Sequence, residues 1–142
     1  MNKLSIAKFS SACTLALMFT QPVLADDLYH EFGAKEGITQ VVKEFIGVVA
    51  ADPRINTFFK DTNIPRLQAM LADQFCELTG GDCKYSGRDM KTAHGGMGVN
   101  TANFNALAED LQVAMTKQGI SSSAQNKLIA KLAPMQRDIV TK

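Results

Sequence analysis

Apolar residues recur through most of this chain at the spacing of an α-helix. Over residues 37–51, Ile38, Val41, Val42, Phe45, Ile46 and Val49 fall at i, i+3, i+4, i+7, i+8 and i+11, which places them on one face. Asp52-Pro53 predicts a short restart running into Phe58-Phe59, with the aspartate as cap and the proline in the first turn. A further helix begins near Asn63-Ile64-Pro65, with Ile64, Leu67, Met70, Leu71, Phe75 and Leu78 as its inner stripe and Gly80-Gly81 as its end. Residues 88–94 have room for little more than two turns before Gly95-Gly96. Thr101 is the predicted cap of the next helix, which turns Phe104, Leu107, Ala108, Leu111 and Met115 inward and closes at Gly119. Residues 121–123 cap a last helix carrying Leu128, Ile129, Leu132, Met135 and Ile139, kinked at Pro134. No stretch alternates long enough to make a strand, so the predicted fold class is all-α.

The first 25 residues are predicted to stand apart from that fold. Lys3 and Lys8 precede an apolar run over residues 12–19, and Val23-Leu24-Ala25 offers a small-residue cleavage site, the layout of a secretory signal. The run is shorter than the ~20 residues a membrane-spanning helix needs. The reading is therefore a signal peptide over residues 1–25, cleaved after Ala25, and a single domain over residues 26–142, exported to the periplasm or beyond.

Removing Lys3 and Lys8 leaves 13 basic against 14 acidic residues. With no basic block, nucleic acid is excluded as an expected partner. The domain keeps two cysteines, Cys76 and Cys83, in CELTGGDC. In an oxidising compartment two cysteines seven apart around Thr79-Gly80-Gly81 predict a disulfide. A metal pair is the other reading, weakened because no second Cys/His pair stands at zinc spacing.

Catalytic groupings are thin. The histidines are His30 and His94, and no GxSxG, HExxH or phosphate-cradling glycine loop occurs. His30 precedes the first long helix, where a surface or capping role is expected. His94 ends a short helix, shares a face with Met90 four residues earlier, and is followed by two glycines that stop the helix and clear space for a flat ligand or a neighbouring backbone. On these residues alone, a histidine stabilised by a helix C-terminus explains the pattern at least as well as a metal ligand does. Phe45, Phe58, Phe59, Phe75 and Phe104 likewise read as ordinary core or as the wrapping of a large apolar disc.

The strings LYHEFGAKEGITQVVKEFIGVVAADPRINTFF, TNIPRLQAMLADQF, TGG, YSGRDMKTAHGGMGV and LAPMQRDIV, in this order and spacing over about residues 28–140, resemble a truncated haemoglobin of the first group. The resemblance implies a shortened globin, two helices over two, enclosing non-covalent haem b. The absence of CxxCH agrees with a haem that is not attached through cysteines. It implies His94 as the proximal iron ligand, with Phe45, Ile46, Phe59, Leu67, Met70, Leu71 and Phe75 lining the distal side. Met90, Val99 and Phe104 would pack the proximal side, and Thr62, Arg66, Tyr85 and Arg88 would reach the haem propionates, although exposed polarity explains those four equally well.

Two departures from the family pattern matter. Many relatives carry Phe-Tyr where this chain has Phe45-Ile46, and often Gln where it has Leu71. Those side chains hydrogen-bond a dioxygen ligand, and each missing bond costs on the order of 1–3 kcal/mol. Dioxygen is then expected to leave faster, which counts against efficient storage and against nitric oxide dioxygenation. Met70 is a second candidate iron ligand, from the distal side, and a flexible core filler otherwise. The function implied is reversible binding of diatomic gases (oxygen, nitric oxide, carbon monoxide) at His94-ligated iron, in oxygen transport or nitric oxide detoxification, by a monomer or weak dimer with an unnamed electron donor. The rivals are a His/Met six-coordinate haem protein for electron transfer or redox sensing, and a helical domain that has lost haem.

Overall fold

The computed structural model describes residues 27–142, so the predicted export signal and its cleavage site at Ala25 lie outside the described residues. All regular structure among the described residues is helical: α1 (Leu28–Glu31), α2 (Ala34–Ala51), α3 (Ile64–Thr79), α4 (Met90–His94), α5 (Thr101–Lys117), α6 (Ser122–Leu132) and α7 (Gln136–Ile139), with 3₁₀ turns at Asn56–Phe59 and Ala133–Met135.

The stripe read from the sequence is what α2 buries: Ile38, Val41, Val42, Phe45, Ile46 and Val49 are all inside. The helix starts earlier than the pattern suggested, because Gly37 lies within it. A Cβ there would meet the Phe32 carbonyl oxygen at 1.9 Å, so glycine is what lets α1 pack onto the first turn of α2. The expected restart at Asp52-Pro53 is displaced to the 3₁₀ turn Asn56–Phe59. The Asp52 carboxylate accepts from the Arg54 backbone N–H at 2.8 Å, making a local turn instead of a helix cap.

Asn63 caps α3 by accepting from Arg66 N–H at 3.0 Å, and Gly80 ends it in the left-handed conformation. Asp89 caps α4 through Thr92 N–H at 2.9 Å. Asn100, not Thr101, caps α5: its side chain accepts from Asn103 N–H while the Asn103 side chain accepts from Asn100 N–H, a reciprocal pair that threonine one residue later does not make. Ser121 caps α6. Pro134 does more than kink the last helix, since a 3₁₀ turn separates α6 from α7. His30 is exposed in α1, where its ring meets the Asp27 carboxylate that caps that helix.

Helix α2 is the hub, packed chiefly against α5 on one side and α3 on the other. Helix α6 closes the layer by touching both α3 and α5. Phe32, Ile38, Ile55, Phe75, Met115 and Leu128 are among the largest fully buried side chains and join all these elements in one core. The short α4 has no fully buried residue and leans on α7, so it is held at the margin of that core. The sequence-predicted disulfide is present: Cys76, buried in α3, joins Cys83, with a Cα–Cα distance of 5.8 Å. Away from α4, Arg54 clamps the end of α2 to α5 through Asp52 and Glu109, each at 2.7 Å, with buried Asp110 at 3.8 Å.

Candidate functional site

Between α3 and the margin formed by α4, α5 and α7 lies a cavity of two adjoining chambers. Leu71, Gln74, Met90, His94, Phe104, Leu107 and Ile139 line both. The outer chamber has a volume of about 300 Å³, and the inner one about 140 Å³. Together they have the size of a cavity for a large organic ligand, a class that usually occupies roughly 300–1,000 Å³.

The chambers differ in polarity. Phe45, Phe75, Leu111, Ile129, Leu132 and Met135 make the inner one almost wholly apolar. The outer one adds Phe59, Leu67, Met70 and Val99, and gathers Thr62, Tyr85, Arg88 and Asn103. The segment holding Tyr85 and Arg88 is fastened twice to α3. Its disulfide starts from Cys76, and Tyr85 N–H donates to the Glu77 carboxylate at 3.1 Å. The Tyr85 hydroxyl donates to the Arg88 carbonyl oxygen at 2.8 Å, which keeps the ring folded over Gly87.

Half-buried His94 has its Nδ1 2.9 Å from the Met90 carbonyl oxygen. A carbonyl can only accept, so Nδ1 carries the proton and Nε2 keeps its lone pair. This is the tautomer that metal-binding imidazoles use, with the second nitrogen fixed by a backbone acceptor. The two glycines after His94 act mainly through the backbone: Gly95 leaves the helix at φ −56°, ψ 129°, and Gly96 follows at φ +78°, a left-handed value, in a turn that Met97 N–H closes onto the His94 carbonyl oxygen at 3.2 Å.

Among the described residues, no group of three or more His, Cys, Asp or Glu side chains could hold a bare metal ion. One imidazole beside a large apolar cavity suits a metal that brings its own macrocycle. A polar mouth with an arginine suits the carboxylates of that macrocycle. The residues present therefore fit haem.

Most of the sequence-predicted site residues come together here. Phe45, Phe59, Thr62, Leu67, Met70, Leu71, Phe75, Tyr85, Arg88, Met90, Val99 and Phe104 line one chamber or both, with His94. Two do not. Ile46 is buried next to Phe45 but about a hundred degrees around α2, and Arg66 is exposed in the first turn of α3. Sequence reasoning missed Gln74, Leu107, Met135 and Ile139. Leu107, Met135 and Ile139 were visible as stripe residues, whereas Gln74 gave no signal because a glutamine in a helix ordinarily faces solvent.

A family model described as bacterial-like globin matches residues 27–141. The group 1 truncated hemoglobin GlbN of Mycolicibacterium paratuberculosis is 32% identical over 114 residues, covering 80% of this chain and 84% of that protein. The group 1 truncated hemoglobin of Tetrahymena pyriformis is 27% identical, covering 81% and 95%. The crystal structure of that Tetrahymena protein in its Fe(III) form superposes with a TM-score of 0.78 over 81% of this chain and 98% of the other, at 27% identity. A group II truncated hemoglobin from Bacillus anthracis, 18% identical, shares the fold with a TM-score of 0.72 over 82% of this chain and 92% of that one.

Proposed function

The chain belongs to the bacterial-like globins, within the group 1 truncated haemoglobins, and from that membership we propose that it is a haem protein binding diatomic gases reversibly, with His94 as the protein's iron ligand. The haem would be held by His94 and would supply an iron able to bind a gas. The observation that carries the reading is the hydrogen bond from His94 Nδ1 to the Met90 carbonyl oxygen, which leaves the lone pair on Nε2 for a metal.

The remaining residues bind and exclude water. Phe59, Leu67, Leu71 and Phe104 offer apolar contact to a flat ring, and Arg88 stands at the mouth for its carboxylates, its backbone tied by the Tyr85 hydroxyl. Ile46 lies outside the lining, and Leu71 contributes no donor. Dioxygen binding is accordingly short-lived, and binding of the less polar carbon monoxide is little affected. Met70 lines the outer chamber from α3, facing the same space as His94, and this supports the second reading, a His/Met pair suited to electron transfer. Export to the periplasm belongs to the same proposal and is supported by the signal-like residues 1–25 and by the Cys76–Cys83 disulfide, a bond that oxidising compartments preserve.

Absorption spectra of the haem-loaded protein test the function. A five-coordinate reduced spectrum that shifts under carbon monoxide is the expected result. A low-spin reduced spectrum that becomes five-coordinate in Met70→Leu favours the second reading, and the lack of any Soret band refutes both.

A further inference from the structure

Gln74 is the buried polar side chain of the cavity wall. It is 8% exposed and lines both chambers, among Leu71, Phe104, Leu107 and Ile139. Its Nε2 donates to two thioether sulfurs, Met90 Sδ at 3.9 Å and Met135 Sδ at 4.0 Å. Thioethers accept hydrogen bonds and have none to give, so the NH₂ end must face them. The two contacts come from different elements, α4 and the turn before α7, and they fix which way the planar amide points. Its other end, Oε1, makes no hydrogen bond within the protein and is not sealed off from the space around it, so a group that enters the cavity can donate to it.

The geometry points to a ligand-selecting role for this oxygen. We infer that Gln74 Oε1 accepts a hydrogen bond from a small protic ligand in the haem cavity, one carrying an O–H, N–H or S–H, so that the pocket favours protic ligands of the ferric protein. The inference rests on the haem-binding reading. It also accounts for a polar residue in a wall where Leu67 and Leu71 are apolar: an acceptor helps water or hydrogen sulfide and does nothing for carbon monoxide.

Hydrogen sulfide is the probe. The ferric, haem-loaded protein and its Gln74→Leu and Gln74→Met variants are titrated with sulfide in mildly acidic buffer, and the ferrous forms with carbon monoxide, both followed by absorption. Loss of one net hydrogen bond predicts about a tenfold fall in sulfide affinity in both variants, with carbon monoxide affinity held within about twofold. Sulfide affinity that stays within about twofold of the parent overturns the inference, and so does a parallel loss of both ligands, which marks general damage to the pocket. A second readout needs no haem: the haem-free variants are expected to unfold no lower than the parent, and a lower midpoint in both overturns the inference by assigning Gln74 to the packing of Met90 and Met135. Failure of the parent to form any Soret band overturns the haem reading itself, an outcome distinct from an intact spectrum with unaltered sulfide affinity.

Discussion

The His94 imidazole and the Met90 carbonyl lie 2.9 Å apart, one helical turn from each other in the five-residue α4. The bond fixes the tautomer of the residue on which the proposed function depends, and it does so from within the short helix that carries it. Because α4 buries no residue completely, nothing else in that helix holds the ring so directly.

His94→Ala removes the imidazole and is expected to abolish the five-coordinate histidine spectrum of the reduced protein. Added free imidazole should restore it in His94→Gly, which opens the space. An unaltered Soret band with unaltered carbon monoxide affinity in the alanine variant refutes the assignment.

Leu71→Gln introduces a donor into a cavity wall that has lost the family's usual one. One added hydrogen bond of about 1–1.5 kcal/mol should slow dioxygen dissociation by roughly tenfold. Stopped-flow displacement of dioxygen by carbon monoxide measures it, and no change shows that position 71 does not face the bound gas.

The Cys76–Cys83 bridge closes a loop of about eight residues, and chain entropy assigns such a loop roughly 2–3 kcal/mol. Reduction, or Cys76→Ser with Cys83→Ser, should lower the thermal midpoint by several degrees. Mass measurement with thiol alkylation should find no free thiol before reduction and two after it in the domain.

Asp110 is buried, and Oδ2 of its carboxylate lacks a partner. Burial, and then the neighbouring Asp52 charge, raise its pKa above the ordinary carboxylate value, although Arg54 opposes them. A raised folded pKa favours the protonated carboxyl in the native state, so this group weighs against folding at neutral pH and the penalty fades as the solution is acidified through that pKa. Asp27 and Asp89 act oppositely. Hydrogen bonds from His30 and Thr92 hold them below 3.8, and their stabilisation is lost only as pH falls through those lowered values. Asp110→Asn is thus expected to raise the thermal midpoint at pH 7 and to lose that advantage near pH 4. An equal effect at both pH values would assign it to packing.

Much of the fold was legible because hydrophobic period reports a helix's buried face directly. The stripe of α2, the helix start near Asn63, the cap at Ser121, the stop at Gly80 and the disulfide all follow from neighbours within one or two turns. Capping detail was less secure, as Asn100 shows: a threonine can cap, and only the reciprocal bonds with Asn103 reveal that the residue before it does so.

The chain by itself determined that it folds into helices, which faces they bury, that Cys76 and Cys83 can meet, and that His94 closes a short helix before two glycines. Each of these depends on spacing along one segment. Tertiary structure decided what shares the cavity: Ile46 and Arg66 fall outside it, while Gln74, Met135 and Ile139 enter it from three elements. A periodic pattern fixes a side chain's direction only about its own helix axis. The placement of α3 opposite α4 and α7 across the cavity sets which of those directions converge, and so puts an unremarkable glutamine in the wall that His94 also lines.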